Sequence, residues 1–305
     1  MQNNYKFLRI STLYIFFILS VPFKIFFSTT FSYALDLDIQ NIEISKPFEI
    51  NFKKTEAIDE GFIVAFENLI SKITISSDQE KIRNIPLSDI KSMVNMFSVR
   101  EEKFIENNYY VSLDVSFNKY EVFSFLEKKN IFPASPASKK LFLMPILIDE
   151  NDVFIFSNNI FYKNWNLKRD DFELLEYILP SEDLEDIQLI KKNSLNLEKY
   201  DFKEIINKYS IDDYIIILIF KDRDSFKILS KINFSENELI DHQELENIKL
   251  EKNLEFEKII DKLKIIYEDY WKKNNLINTS IKLPLTISLN VNDNKKINEF
   301  EKSLS

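Results

Sequence analysis

The sequence predicts a mixed protein of the α+β or α/β class, with two small sheet-plus-helix domains in tandem and an incomplete helix–strand unit after them. Segments in which apolar and polar residues alternate are typical of strands with one buried face. Between them lie segments whose apolar residues recur every three or four positions, as in amphipathic helices. A break at residues 133–138, rich in proline and small residues, separates two such groups and is the predicted linker.

The first predicted domain spans residues 35–132, with the order β-α-α-β-β-α and its helices on one side of the sheet. Alternation in residues 37–44 predicts an entry strand. Apolar residues at helical spacing predict a helix over 54–73, and Pro86 is placed to open a second helix that runs to about residue 96.

A hairpin is predicted next, because residues 97–105 and 110–117 both read as strands around a polar turn at 106–108. Val111 and Leu113 belong to the face expected to be buried. A further helix is predicted over residues 120–129.

Gly61 is the only glycine in the chain and lies inside the first predicted helix. A glycine in a helix costs about 1 kcal/mol relative to alanine. Ala57 and Ala65 flank it at four-residue intervals, so these three small residues form a stripe on one face. We interpret the stripe as the place where the helix lies close against the sheet.

The second predicted domain spans residues 139–245 and is a mixed sheet flanked by helices. Its first strand is a continuous apolar run, as expected of a strand covered on both faces. The predicted strands are 141–148, 153–156, 174–179, 214–220 and 226–234. The predicted helices are 159–166, 181–192 and 197–208.

Residues 246–305 predict a strong amphipathic helix from residue 255, a strand over 283–291 and a helix over 295–304. One strand and two helices cannot close a sheet of their own. These residues are therefore either a truncated third domain or a unit that docks on the second domain.

The first 34 residues are predicted to be a signal peptide. Lys6 and Arg9 precede an apolar run, and Ser32 and Ala34 suit cleavage after Ala34. The alternative is an uncleaved anchor formed by residues 10–31, which would be long enough to cross a bilayer. Periplasmic localisation is expected in the first case and an inner-membrane anchor facing the periplasm in the second, where these residues alone would contact the membrane.

Composition excludes several classes of function. Removing residues 1–34 takes away Lys6, Arg9 and Lys24 and no acidic residue, so 37 basic and 49 acidic side chains remain and the net charge falls from −9 to −12. Such a surface repels phosphate backbones, so no nucleic-acid partner is expected. Without cysteine there can be no disulfide or thiol nucleophile, and a single glycine cannot build a phosphate-binding loop.

Four groups of residues carry a resemblance to a known family. They are Ala57, Glu60 to Phe62, Leu69 and Ile73 in the first helix, residues 110–118 in the hairpin, Phe132-Pro133 before Leu141 to Leu143, and residues 180–186. In this order they resemble the proteobacterial family of exported proteins known as domain of unknown function 2066. The Trp-Gly and Arg-Pro pairs that the family carries near the linker are absent here.

The α/β units are also similar to those of the TolB amino-terminal domain and of flagellar assembly protein T. The resemblance implies a periplasmic assembly or scaffolding role. It supplies no catalytic residue, because the family has no assigned activity.

Candidate sites are few. His242, the only imidazole, is expected to be a solvated loop or cap residue. We expect no catalytic residue, because one imidazole without a neighbouring nucleophile offers no triad, and no cofactor site, because the chain has a single glycine. No metal site is expected either, because each cluster of carboxylates coincides with a predicted turn or helix start. The possible interaction residues are Trp165, as an exposed aromatic anchor or else a core residue, and four members of an acidic segment. These four are Glu182, Asp183, Glu185 and Asp186.

The sequence therefore predicts an exported, non-enzymatic interaction module. Its partner would be an envelope or periplasmic protein, contacted through sheet edges or an exposed aromatic. The alternatives are a carrier of a small apolar ligand held between the domains and an enzyme that uses carboxylates alone.

Overall fold

The computed structural model describes residues 37–150, 152–223, 225–235, 237–246, 253–279 and 296. The predicted leader and the predicted strand 283–291 lie outside these residues, as does the helix predicted over 295–304 apart from residue 296. In the part that is described, no helix is both long and apolar enough to cross a membrane.

The described residues have a mixed α+β fold with two sheets. The first sheet has the strand order β1-β3-β2, and all its pairs are antiparallel. Its strands are β1 (Asp38–Pro47), β2 (Val94–Ile105) and β3 (Asn108–Phe117). Its helices are α1 (Lys54–Ile73), α2 (Ser76–Gln79), α3 (Leu87–Met93) and α4 (Lys119–Lys128). Helix α1 has the predicted bounds, whereas the short helix α2 was not predicted and β2 begins at Val94, within the helix predicted to run to about residue 96.

Gly61 lies where helix α1 crosses the first sheet. A Cβ at this position would overlap Leu113 Cδ1 of β3 and would lie 3.7 Å from Ile44 Cγ1 of β1. Leu113 and Ile44 are both buried. The glycine thus allows a close approach of helix to sheet, as the small-residue stripe predicts.

The second sheet is mixed. Strands β6, β4 and β7 are parallel, β7 to β9 are antiparallel, and β5 pairs with the end of β4. The strands are β4 (Lys139–Asp149), β5 (Asp152–Phe154), β6 (Leu175–Ile178), β7 (Tyr214–Asp222), β8 (Ser225–Phe234) and β9 (Asn237–Leu245). The helices are α5 (Ile160–Asn164), α6 (Leu184–Lys192), α7 (Lys203–Ile206) and α8 (Asn253–Asn274).

Apolar cores cover both faces of this sheet. Leu141 and Ile217 face the core that includes Trp165 and helix α8. Phe142 and Ile216 face the opposite core, which contains residues of α6 and α7. The continuous apolar run of β4 is explained by this double coverage.

One helix predicted beside the second sheet is wrong, and one strand was missed. The helix predicted over 197–208 is broken, because Tyr200 is extended and the Asp201 side chain accepts from Lys203 N–H at 3.1 Å to start a new turn. Strand β9 was not predicted. Charged residues dilute its apolar pattern, since among the described strands it pairs with β8 alone and has much of its surface exposed.

Helix α8 connects the two sheets. It packs on the second sheet, and at its far end Asp269 accepts from Ser76 N–H at 2.8 Å while Lys272 Nζ donates to Ser71 O at 2.6 Å. Trp271 Nε1 donates to Ala137 O at 3.0 Å. Of the two hypotheses for residues 246–305, docking on the second sheet describes this helix.

Charged residues lie on the buried face of α8, which sequence periodicity did not predict. Glu268 accepts the backbone N–H groups of Leu174 and Leu175 at 2.8 and 2.7 Å, next to the start of strand β6. Burial raises the pKa of Glu268 and lowers the pKa of Lys272. The Glu268 and Lys272 side chains thus form hydrogen bonds with backbone groups that would otherwise be unpaired.

Candidate interaction surface

The hairpin of β2 and β3 carries the most exposed strand of the described residues. Glu106 and Asn107 form a two-residue turn in which both φ angles are positive, 47° and 62°, as in a type I′ turn. This turn twists in the same sense as the strands that it joins. Ile105 is therefore held directly opposite Asn108, and the register of β2 is set from this end.

Strand β2 is an edge strand: it pairs with β3 on one side, and no described strand pairs with it on the other. Of its twelve residues, Val94 is half-buried and all the others are exposed. Five large apolar side chains in it are between 40% and 68% exposed: Met96, Phe97, Val99, Phe104 and Ile105. An open edge of this kind offers backbone N–H and C=O groups to a further strand.

The two ends of β2 are apolar and its centre is charged. Arg100, Glu101, Glu102 and Lys103 form the centre. The ladder to β3 contains two irregularities, at Asn95 and at Arg100. Charges and bulges on an edge strand reduce indiscriminate pairing, so the apolar ends are available only to a partner that also accepts the charged centre.

Residues of β2 divide between the two faces of the first sheet. Phe97, Val99, Glu102 and Phe104 lie opposite the buried residues of β3, on the face that the helices cover. On the uncovered face lie Met96, Ser98, Glu101, Lys103 and Ile105. The apolar ends therefore present side chains to both faces of the sheet.

Aromatic rings support the strand near the turn. The Phe104 ring lies 5.0 Å from that of Phe48 and 5.1 Å from that of Tyr109. Tyr109 is fully buried, and burial raises the pKa of its hydroxyl group. At the other end, the Phe97 and Phe62 rings are 5.0 Å apart. Both ends of the strand are thus packed on one side and exposed on the other.

The centre of β2 is fixed by ion pairs to its own chain. Arg100 donates to Asp114 through Nε at 3.1 Å and Nη2 at 2.8 Å, and Asn41 N–H donates to the same carboxylate at 2.9 Å. These donors, Asn41 first, lower the pKa of Asp114. On the covered face, Lys54 Nζ donates to Glu102 at 2.5 Å.

Trp165 is not an exposed anchor, which corrects one of the predicted interaction residues. It is completely buried, with its ring 5.6 Å from that of Tyr177 and 6.3 Å from that of Tyr267. The aromatic residues around position 160 belong to the core between β4 and α8. A tryptophan at this spacing looks the same in the sequence whether it is buried or exposed.

Most carboxylates of the acidic segment, residues 182–186, already bind partners within the chain. Asp183 caps α6 by accepting Glu185 N–H at 2.8 Å, and Glu182 accepts Ser157 N–H at 3.1 Å. Lys208 Nζ lies 2.7 Å from both Asp183 and Asp186, and Asp186 is completely buried.

The prediction that Asp186 contacts a partner is therefore wrong. Hydrogen bonds from Lys208 lower the pKa of Asp183, while those from Ser157 lower that of Glu182. Interaction roles for Glu182, Asp183 and the exposed Glu185 stay predictions.

His242 lies in strand β9 rather than in a loop, and it is exposed as expected. It borders a cavity of about 570 Å³ together with Glu198, Lys227 and Glu244. Across the residues that the structure describes, no group of three His, Asp or Glu side chains is arranged to hold a metal ion.

A groove of about 810 Å³ lies between α1 and the segment of α2 and α3. Ile63, Phe66, Ile70 and Ile82 are among its apolar lining residues. Charged residues line it too, including Glu67, Glu80 and Arg83. It is a mixed surface and is not the interdomain cleft that the carrier hypothesis expected.

Sequence reasoning placed β2 in a hairpin but did not predict that its apolar residues would be exposed. The mixed pattern of Met96 to Ile105 was a usable signal. In this stretch neighbouring residues are both apolar at each end, so no register of a regular strand could bury them all on one face.

No protein-family model matches this chain, and no curated protein matches its sequence significantly. The resemblance to the family of exported proteins therefore stays a prediction.

Proposed function

We propose that this chain is an exported protein-interaction module, active in the envelope, whose contact surface is edge strand β2. The observation that carries the proposal is a twelve-residue edge strand with five large apolar side chains exposed. Strand addition to an open sheet edge is a general mode of recognition, in which the backbone supplies affinity and the side chains supply specificity.

Several features of the surface fit this proposal. The strand is already formed in the free chain, paired with β3 through the type I′ turn and joined to its own chain by the Arg100 and Lys54 ion pairs, so little order has to be gained on binding. Its charged centre sets a register for the incoming strand. The role is one of binding, and no catalytic residue is assigned.

A photo-crosslinking amino acid at position 96 tests the proposal in cells. Met96 lies on β2, and the matched control is position 40, an exposed residue of edge strand β1. We expect a discrete crosslinked product from position 96, lost when Phe104→Lys is added, and none from position 40. Equal products from both positions, or none from position 96, would contradict the proposal.

Export is tested separately by sequencing the amino terminus of the protein recovered from cells. A periplasmic protein would begin at Leu35, because the apolar run is followed by Ser32 and Ala34 at the positions that signal peptidase reads. A chain that begins at Met1 and sediments with membranes would indicate the anchored alternative.

A second candidate function, a carrier of small apolar molecules, would use the groove between α1 and α3, where Ile63, Phe66 and Ile70 provide an apolar lining beside the charged residues. The groove's volume of about 810 Å³ lies within the range of ligand sites. An environment-sensitive apolar dye should then bind to the wild type and not to Ile85→Lys, which places a charge in the lining. Absence of dye binding to the wild type would remove this candidate.

A further inference from the structure

We infer that the partner of edge strand β2 is a second copy of this chain, paired antiparallel about a two-fold axis between Arg100 and Glu101. This inference rests on the proposed function, since it names what the edge binds. A symmetric dimer requires a self-complementary surface, in which residue i meets residue j and j meets i.

The sequence of β2 meets this requirement. With the axis between Arg100 and Glu101, both apolar ends of one strand face apolar ends of the other, and a positive charge faces a negative one. The pairs are Arg100 with Glu101, Val99 with Glu102, Ser98 with Lys103, Phe97 with Phe104, and Met96 with Ile105. The mixed pair is Val99 with Glu102, and Glu102 keeps Lys54 as its own partner at 2.5 Å.

The faces of the strand agree with the same axis. Phe97 and Phe104 both lie on the covered face, whereas Met96 and Ile105 both lie on the open face. The irregularity at Arg100 is what makes this possible, because it shifts the alternation between the two halves of the strand. In a regular strand, residues 97 and 104 would point to opposite faces.

Neighbouring registers of the dimer give less favourable cross-strand pairs. Moving the axis to lie between Glu101 and Glu102 sets these two acids against each other and sets Arg100 against Lys103. Moving it to lie between Val99 and Arg100 sets Phe97 against Glu102. Like charges opposite each other, or a charge opposite an apolar residue, lose the cross-strand stabilisation.

The first test is sedimentation of the chain as purified from cells, with variants that change one pair. We expect a dimer for the wild type. Met96→Lys and Ile105→Glu should each weaken dimerisation by roughly tenfold, since each alters two symmetric pairs. The double variant should restore it, because each introduced lysine then faces an introduced glutamate of the other copy.

Leu195→Lys, an exposed apolar residue far from β2 in the sequence, is the control and should dimerise like the wild type. Both altered side chains in β2 are exposed, so the fold should survive, and the circular dichroism spectrum checks this. The inference would be overturned by a wild-type chain that stays monomeric, or by a dimer whose affinity is unchanged in both single variants.

The second test reads the register directly, using the absence of cysteine from the chain. Ser98→Cys combined with Lys103→Cys places a thiol opposite a thiol at two positions of the dimer, where cross-strand distances suit a disulfide. Within one chain the two residues are roughly 16 Å apart along the strand, so they cannot bond to each other. Ser98→Cys with Ile105→Cys is the mismatched control and should not crosslink.

The outcomes separate the inference from the proposed function. If the chain is monomeric but position 96 still crosslinks to a different protein, the dimer inference is wrong and the proposed interaction function stands. A monomeric chain with no such product would remove both.

Discussion

The two edges of the first sheet are built in opposite ways. Strand β1 buries its apolar residues, since Ile39, Ile42 and Ile44 are at most 5% exposed beneath helix α1. Strand β2 leaves five apolar side chains at least 40% exposed. Among the described strands both pair with β3 alone, so their different exposure arises from where the helix lies. One edge contributes to folding and the other is available for binding.

The largest expected effect comes from truncating the covered edge. Ile42→Ala should lower the free energy of unfolding by about 3 kcal/mol, because it leaves a cavity in the core beneath α1. Met96→Ala on the open edge should change it by less than about 0.5 kcal/mol in a monomeric sample. Urea denaturation measures both. Similar losses for the two variants would mean that β2 is as much part of the core as β1.

The next effect concerns the position of α1 over β1 and β3. Gly61→Val should lower the free energy of unfolding by about 2 kcal/mol, since its side chain would collide with Leu113. Adding Leu113→Ala should make the double variant less unstable than the sum of the two single losses. If the stability losses of the two single variants simply add in the double variant, the close approach of helix to sheet is unimportant.

Much of this arrangement could be predicted from the sequence, and the reasons are local. Helix α1 was predicted with its bounds because its apolar residues recur at helical spacing, and Gly61 marked its contact with the sheet. The adjacent apolar residues at each end of β2 were a signal that some of them would be exposed, but which ones are exposed, and the burial of Trp165 and Lys272, could not be predicted. They depend on which surfaces meet across long stretches of chain, which periodicity does not record.

A smaller effect, and one that increases stability, is expected at the turn of the hairpin. Glu106 has a positive φ, which is unfavourable for a residue with a long side chain. Glu106→Asn should raise the free energy of unfolding by roughly 0.5 kcal/mol, since asparagine suits a type I′ turn. Gln79→Asn, on a short helix, is a control without this gain. A loss of stability in Glu106→Asn would indicate that the turn is not what orders β2.

The smallest effect is a change of pH dependence at the centre of the open edge. The pKa of Asp114 is lowered in the folded chain, so its contribution to stability is present above about pH 4 and is lost as the pH falls through the lowered value. Below about pH 4, the free energy of unfolding should therefore fall less steeply in Asp114→Asn than in the wild type. Arg100→Gln, which removes one set of donors, should give an intermediate slope.

Helix α8 has a consequence for how the molecule is made. Its contacts to Ser71 and Ser76 join positions that are 201 and 193 residues apart. At roughly 5 to 20 residues per second, a ribosome needs on the order of 10 to 40 s to pass from one to the other. During that interval each sheet can form, but the contacts of α8 with Ser71 and Ser76 cannot. The two sheets are therefore joined through α8 only after residue 272 has been synthesised.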